Sequence, residues 1–204
     1  MTIVVSNADV NAYKPAVGEP ADRFTVAASV QSNQGPPPAP AVRRAGNGIV
    51  ITAPDPLTQL LLRIPDRVNL VVNSKSGAVN VTDVTGNVDV SATKGDVHVM
   101  VPGYAQASTQ SGHLAVTFGS ANWPGTLKFY DGNGDMEVYI PELAKFHVRM
   151  HTDDGTLFTD FGLKGTSQGS SETIDGPVNG GGVQSVDIEA KRGTIRLLRL
   201  APQA

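Results

Sequence analysis

The sequence predicts an all-β protein, a parallel β-helix or β-solenoid, and three observations carry that reading. The first is composition: Val (25) and Thr (16) dominate while Leu (13) and Glu (5) are scarce, and branched side chains pack well on pleated surfaces but lose rotamers in helices. The second is a Gly followed by alternating apolar residues. It recurs as GAVNV (77–81), GNVDV (86–90), GDVHV (95–99), GHLAV (112–116), GDMEV (134–138), GTLFT (155–159) and GTIRL (193–197). The third is a longer unit: GDVHVMVP (95–102) and GDMEVYIP (134–141), 39 residues apart, share an opening Gly-Asp, a central Val and a closing Pro. An antiparallel sandwich has no reason to repeat a Gly, a strand and a terminal Pro. Coils stacked on one axis do, because each coil reuses the same corner and buries its apolar ladder against its neighbours.

The elements follow in order. Residues 1–56 hold expected strands at 2–5, 10–13, 24–30 and 48–52, interrupted by the Pro-rich GPPPAP (35–40). A solenoid needs its terminal edges covered, so this segment reads as an N-terminal β cap or as first coils. Asp55 and Pro56 suit the cap of a one-turn helix, but Leu60, Leu62 and Ile64 alternate, which favours a strand. Residues 57–204 read as the repeat-built solenoid, continuous with the cap as one structural domain. After Pro65, Pro102 and Pro141 the alternation resumes and runs to Gly77, Gly112 and Gly155. Gly at each corner supplies a positive φ, or a place too crowded for a Cβ. The expected core is the inward ladder, including Val79, Val81, Val88, Val90, Val97, Val99, Leu114, Val116, Met136, Val138, Leu157, Ile195 and Leu197. Residues 176–182 read as a flexible excursion before two last strands at 183–190 and 194–200.

Composition also excludes functions. The 204 residues are 40% hydrophobic and 17% charged with a net charge of −3, too apolar for a disordered chain, and no apolar run approaches the roughly 18 residues of a membrane-spanning helix. Without a Lys/Arg run, nucleic acid and anionic membrane are not expected partners. No Cys is present, which removes disulfides, thiol catalysis and Cys-type zinc sites. Residues 1–7 lack the basic and apolar regions of a secretory leader, so the expectation is either an intracellular protein or one whose leader is absent from this sequence.

The GDVHVMVP and GDMEVYIP blocks, RIPDRVNLVVNSKSG (63–77) and VDIEAKRGTIRL (186–197) resemble the bacterial putative-adhesin family over about residues 49–200. That resemblance implies a single-stranded β-helix of unknown function, commonly on exported or membrane-anchored proteins. It implies no catalytic residue.

The residues that could carry chemistry are few. Asp131, Asn133, Asp135 and Glu142 fall at calcium-loop positions 1, 3, 5 and 12, but Met136 stands where such a loop needs Gly, and strands replace the flanking helices. A repeat turn is the expectation, with no metal and no cofactor. Asp153, Asp154 and Asp160, with Glu172, are the best case for a polysaccharide-active enzyme, since glycoside hydrolysis needs two carboxyls about 5–9.5 Å apart. Asp is also a favoured turn residue, and no basic clamp lies beside the segment in sequence. His147 and His151 share one strand face about 13 Å apart at ~3.3 Å per residue, too far to hold one metal together. Asp160-Phe161-Gly162 matches the kinase tripeptide without the rest of that signature. Phe158 points outward by alternation and Trp123 sits in a loop, so these two are the expected ligand-binding aromatics.

The expected function is a non-catalytic cell-envelope or extracellular adhesin-like binding module. Its partner, a protein or polysaccharide surface, lies along the outward row Asn80, Asp89, His98, Ala115, Glu137, Phe158 and Arg196. The alternatives are the polysaccharide-active enzyme and a scaffold that forms homo-oligomers through its coil edges.

Overall fold

Alternation becomes strand almost wherever the sequence shows it. The computed structural model describes residues 1–6, 9–14, 25–30, 39–53 and 58–201 and holds 18 strands, with no helix among the described residues. β1 (Thr2–Ser6) and β2 (Asp9–Tyr13) make one coil, and β3 (Thr25–Val30) and β4 (Ala41–Ala45) follow it. Further coils are β5 (Gly48–Thr52) with β6 (Thr58–Arg63), β7 (Asn69–Ser74) with β8 (Val79–Thr82), and β9 (Val88–Ala92) with β10 (Val97–Val101). β11 (Ala105–Thr109) with β12 (Leu114–Phe118), and β13 (Thr126–Asp131) with β14 (Met136–Pro141), continue the series. β15 (Phe146–Thr159) is a whole coil in one bent strand, β16 (Thr166–Gln168) and β17 (Ser171–Val178) are a hairpin, and β18 (Ser185–Leu200) is a second bent strand.

Pairing sorts these strands into two ladders. The first runs β4, β5, β1, β7, β9, β11, β13, the first half of β18, the first half of β15, β17 and β16. The second runs β3, β6, β2, β8, β10, β12, β14, and then the second halves of β18 and β15. All pairings are parallel except those of β3, β4, β16 and β17. Both ladders bury alternate residues in one core, which contains every expected ladder residue but the half-buried Leu157. This is the large, mostly parallel all-β arrangement of a β-solenoid.

The corner between the ladders explains the repeated glycine. Gly77, Gly95, Gly112, Gly134, Gly193 and Gly155 lie in that order along the stack, each with its hydrogen side against the carbonyl of the one before. A Cβ on Gly95 would lie 2.2 Å from the Gly77 oxygen, and Gly95 also has φ 129°. At Gly134 crowding alone decides, because a Cβ would lie 1.7 Å from the Gly112 oxygen.

Several expectations change. The 39-residue unit is two coils, since Gly112 lies between Gly95 and Gly134 in the stack. Gly86 belongs to another corner, where a Cβ would lie 2.0 Å from the Val68 oxygen, and GNVDV is on the first ladder while the other Gly repeats are on the second. Strands β1 and β2 do not sit at the edge where the cap of residues 1–56 would put them: β1 lies between β5 and β7, and β2 between β6 and β8. The expected boundary at residue 57 lies outside the described residues. β4, which the apolar pattern does not suggest, pairs with β5 through a two-residue turn at Gly46 and Asn47, Gly46 having φ 57°. Residues 176–178 belong to β17 on the outer edge of β15, not to an excursion. Phe24, residues 35–38, Asp55 and Pro56 lie outside the described residues.

Candidate functional site

Register assembles the outward row of the second ladder strand by strand: Leu61, Asn11, Asn80, His98, Ala115, Glu137, Arg196 and Phe158 are consecutive cross-strand neighbours. Neighbouring strands lie about 4.8 Å apart, so the row is a continuous stripe along the stack. Asn80 Nδ2 donates to Asn11 Oδ1 at 3.0 Å, the His98 ring lies 6.0 Å from that of His113, and Arg196 pairs with Glu137 at 3.3 Å. Asp89 does not belong here. It sits on the first ladder, between Val71 and Gln106, because consecutive strands alternate between ladders.

The two expected aromatics part company. Phe158 is 51% exposed at the end of the row, opposite Arg196. Trp123 is 3% exposed and is a core residue, not a surface anchor. Its ring packs 5.6 Å from Phe146 and 6.0 Å from Phe118, and its indole N–H donates to the Ser185 carbonyl at 3.4 Å. A single Trp in a Pro-Gly loop reads as exposed in sequence, but an indole buries a large apolar area once a neighbouring carbonyl accepts its N–H.

Two of the four candidate carboxylates, Asp160 and Glu172, are held by backbone N–H groups. Asp160 Oδ2 accepts from the Arg199 N–H at 3.1 Å, Glu172 Oε2 from the Leu157 N–H at 2.8 Å, and Asp153 Oδ1 lies 3.0 Å from His151 Nε2. Asp154 is exposed. In the 131–135 turn, Asp131 Oδ1 accepts from the Asn133 N–H at 2.9 Å, while Asp135 Oδ1 reaches across to the Thr194 N–H at 2.8 Å. Glu142 pairs instead with Arg199 at 3.4 Å. Among the described residues no three His, Asp or Glu side chains converge as a metal site. Asp131 is fully buried, its Oδ2 has no hydrogen-bond partner, and burial pushes its carboxyl up to about 6. Its corner row otherwise holds the small residues Ser74, Ala92, Thr109, Ala190 and Thr152.

Residues 67–198 match the model of the Toastrack DUF4097 family. The chain belongs to the Toastrack DUF4097 family. The resemblance carried by its repeat blocks is thereby borne out. No curated protein matches it. Among solved structures it is similar to a putative cell adhesion protein from Clostridium sporogenes, at 12% identity with a TM-score of 0.55, over 98% of this chain and 92% of that one. At that identity the likeness speaks for the fold.

The Toastrack match begins at Arg67, just before β7, and takes in both outer surfaces of the central coils. Two hollows open there. One, of about 620 Å3, lies beyond the strand ends of the second ladder and is lined by Met100, Pro102, Leu143 and Leu200. The other, of about 220 Å3, lies on the outward face of the first ladder.

Proposed function

We propose that this Toastrack protein is a non-catalytic, adhesin-like binding module of the cell envelope or cell surface. Its partner, a protein or polysaccharide surface, lies along the outward row of the second ladder. The observation that carries this reading is the unbroken row from Asn11 to Phe158, a stripe of mixed polarity ending in an exposed aromatic ring. Such a surface suits a broad contact better than an enclosed site. Likeness in fold to a putative cell adhesion protein supports the surface location.

Support for a non-catalytic reading comes from the carboxylates: Asp160 and Glu172 serve as acceptors for strand N–H groups, which is structural employment. The same reading takes β4 and the β16–β17 hairpin as covers over the two ends of the first ladder, and β3 as the cover over one end of the second. β4 carries Arg43 and Arg44, and short or charged edge strands resist pairing with other chains. That weighs against an end-to-end scaffold.

The test starts from partners found by pull-down on envelope fractions or on a polysaccharide array. Phe158→Ala should weaken binding at least about tenfold, as for an aromatic anchor, while His98→Ala does little. Equal affinities for wild type and both variants would reduce the row to a solvated face. Polysaccharide turnover that disappears in Asp153→Asn or Asp160→Asn would overturn the non-catalytic reading.

A further inference from the structure

The first ladder parts at one place. β11 pairs with β9 through all five of its residues, but with β13 only through Ala107, Ser108 and Thr109. β13 pairs with β18 along its whole length. Continued one step, the β11–β13 register would set Gln106 against Lys128, and there the strands have separated. At the mouth of the split, the Tyr104 hydroxyl donates to the Thr126 carbonyl at 3.3 Å, doing by side chain what a neighbouring strand would do by backbone, and Gln106 Nε2 donates to the same hydroxyl. The core residue Trp123 donates its indole N–H to the carbonyl of Ser185, the cross-strand neighbour of Thr126. The split is therefore held open by specific side chains.

Over it lies the hollow of about 220 Å3, lined on its outer side by Asp89, Gln106, Lys128, Tyr130, Asp187 and Glu189. Lys128 and Asp187 are cross-strand neighbours on β13 and β18, the same relation that Glu137 and Arg196 have on β14 and β18. Glu137 and Arg196 pair at 3.3 Å. No such pair forms between Lys128 and Asp187, and Asp89 and Glu189 also lack a hydrogen-bond or ion-pair partner among the described residues. Asp89, Lys128, Asp187 and Glu189 are exposed on their strands, and the neighbouring atoms of the hollow raise the Asp89 carboxyl above its ordinary value.

Chemistry narrows what could satisfy these groups. Three carboxylates against one ammonium disfavour an anion such as a phosphate. A simple cation needs acceptors alone and would be repelled by Lys128. A polyol hydroxyl both donates and accepts, so carboxylates, amide and ammonium together suit it, and the half-buried Tyr130 ring offers an apolar face beside them. The volume is below the ~300–1,000 Å3 of drug-sized sites, which fits one sugar ring and not a longer segment.

We infer that the split between β11 and β13 is a binding site for a single neutral saccharide unit, held by Asp89, Gln106, Lys128, Asp187 and Glu189 around Tyr130. The site is on the other ladder from Phe158 and stands or falls separately from the reading made there.

The experiment probes the purified full chain with an array of glycans ending in neutral hexoses and N-acetylhexosamines, beside amine-bearing and sulfated probes. The best neutral terminus is then titrated as its free methyl glycoside. Asp187→Asn and Tyr130→Ala should each raise Kd at least tenfold, and Phe158→Ala should leave it unchanged. Asp187 is exposed, so its variant keeps the fold and carries the test if Tyr130→Ala does not. The inference is overturned if wild type binds no neutral glycan at millimolar concentration, if Asp187→Asn binds as wild type does, if amine-bearing or sulfated probes bind in preference, or if binding is lost only in Phe158→Ala. That last result would instead support the site on the second ladder.

Discussion

Within β7 to β14, coils that are consecutive in the chain are neighbours in the stack, whereas at both ends chain order and stack order part. At one end the first coil, β1 and β2, is inserted between β5–β6 and β7–β8. At the other end the last strand, β18, is inserted between β13–β14 and β15. The outermost coils are thus internal in sequence, and the terminal segments are internal in space. The inserted strands are as well buried as the central ones: Ile3, Val5 and Val10 are fully buried, as are Leu70 and Val79. Loop-closure entropy grows only slowly with separation, so pairing across many residues adds little cost once a two-sided slot is available. A repeat encodes the shape of a coil and the face it buries, and leaves open which coil will be its neighbour.

The largest expected effect tests the central rule. Gly134→Val should destabilise by about 4 kcal/mol or more, because the branched side chain would occupy the Gly112 carbonyl and the backbone must move. Gly103→Val, where a Cβ meets nothing within 4 Å, should change stability by less than about 0.5 kcal/mol. Denaturant melts of the two variants check this, and equal midpoints would mean that the corner stack tolerates side chains.

A somewhat smaller effect tests the ends. If β1 is an inserted coil, Ile3→Ala leaves a cavity with strands on both sides and should cost about 3 kcal/mol, within the range for central core truncations. Val42→Ala, on the outer strand β4 at 54% exposure, should cost less than about 0.5 kcal/mol. A cost for Ile3→Ala as small as for Val42→Ala would place β1 at an edge.

The smallest effect concerns Asp131 in the central stack. Its folded value is raised from 3.8 to about 6, so the folded state holds the proton more tightly than the unfolded chain. The stabilisation this gives is fully present below pH 3.8 and is lost as pH rises through about 6, a loss of about 2–3 kcal/mol. Asp9 and Asp89 are raised too and act in the same direction. Thermal melts at pH 5 and pH 7.5 should show a smaller difference for Asp131→Asn than for wild type, and an unchanged difference would assign the pH dependence elsewhere.

The sequence by itself determined the all-β class, the alternation that buries Val79, Val97, Leu114 and Met136, and the glycine corners, because strand periodicity and crowding at a turn are local. It also placed Phe158 outward by parity alone. Tertiary structure decided the rest. GNVDV looks like its neighbours in sequence, yet Asp89 faces the opposite way because strands alternate between two ladders, and a pattern of period two cannot tell one ladder from the other. Trp123 went to the core because Phe118, Phe146 and the Ser185 carbonyl converge there from distant strands. The split beside Lys128, and the insertion of β1 and β2 between later coils, arise from contacts between segments far apart in the chain. Those contacts depend on which edges stand open when the coils stack, and no local pattern of residues records that.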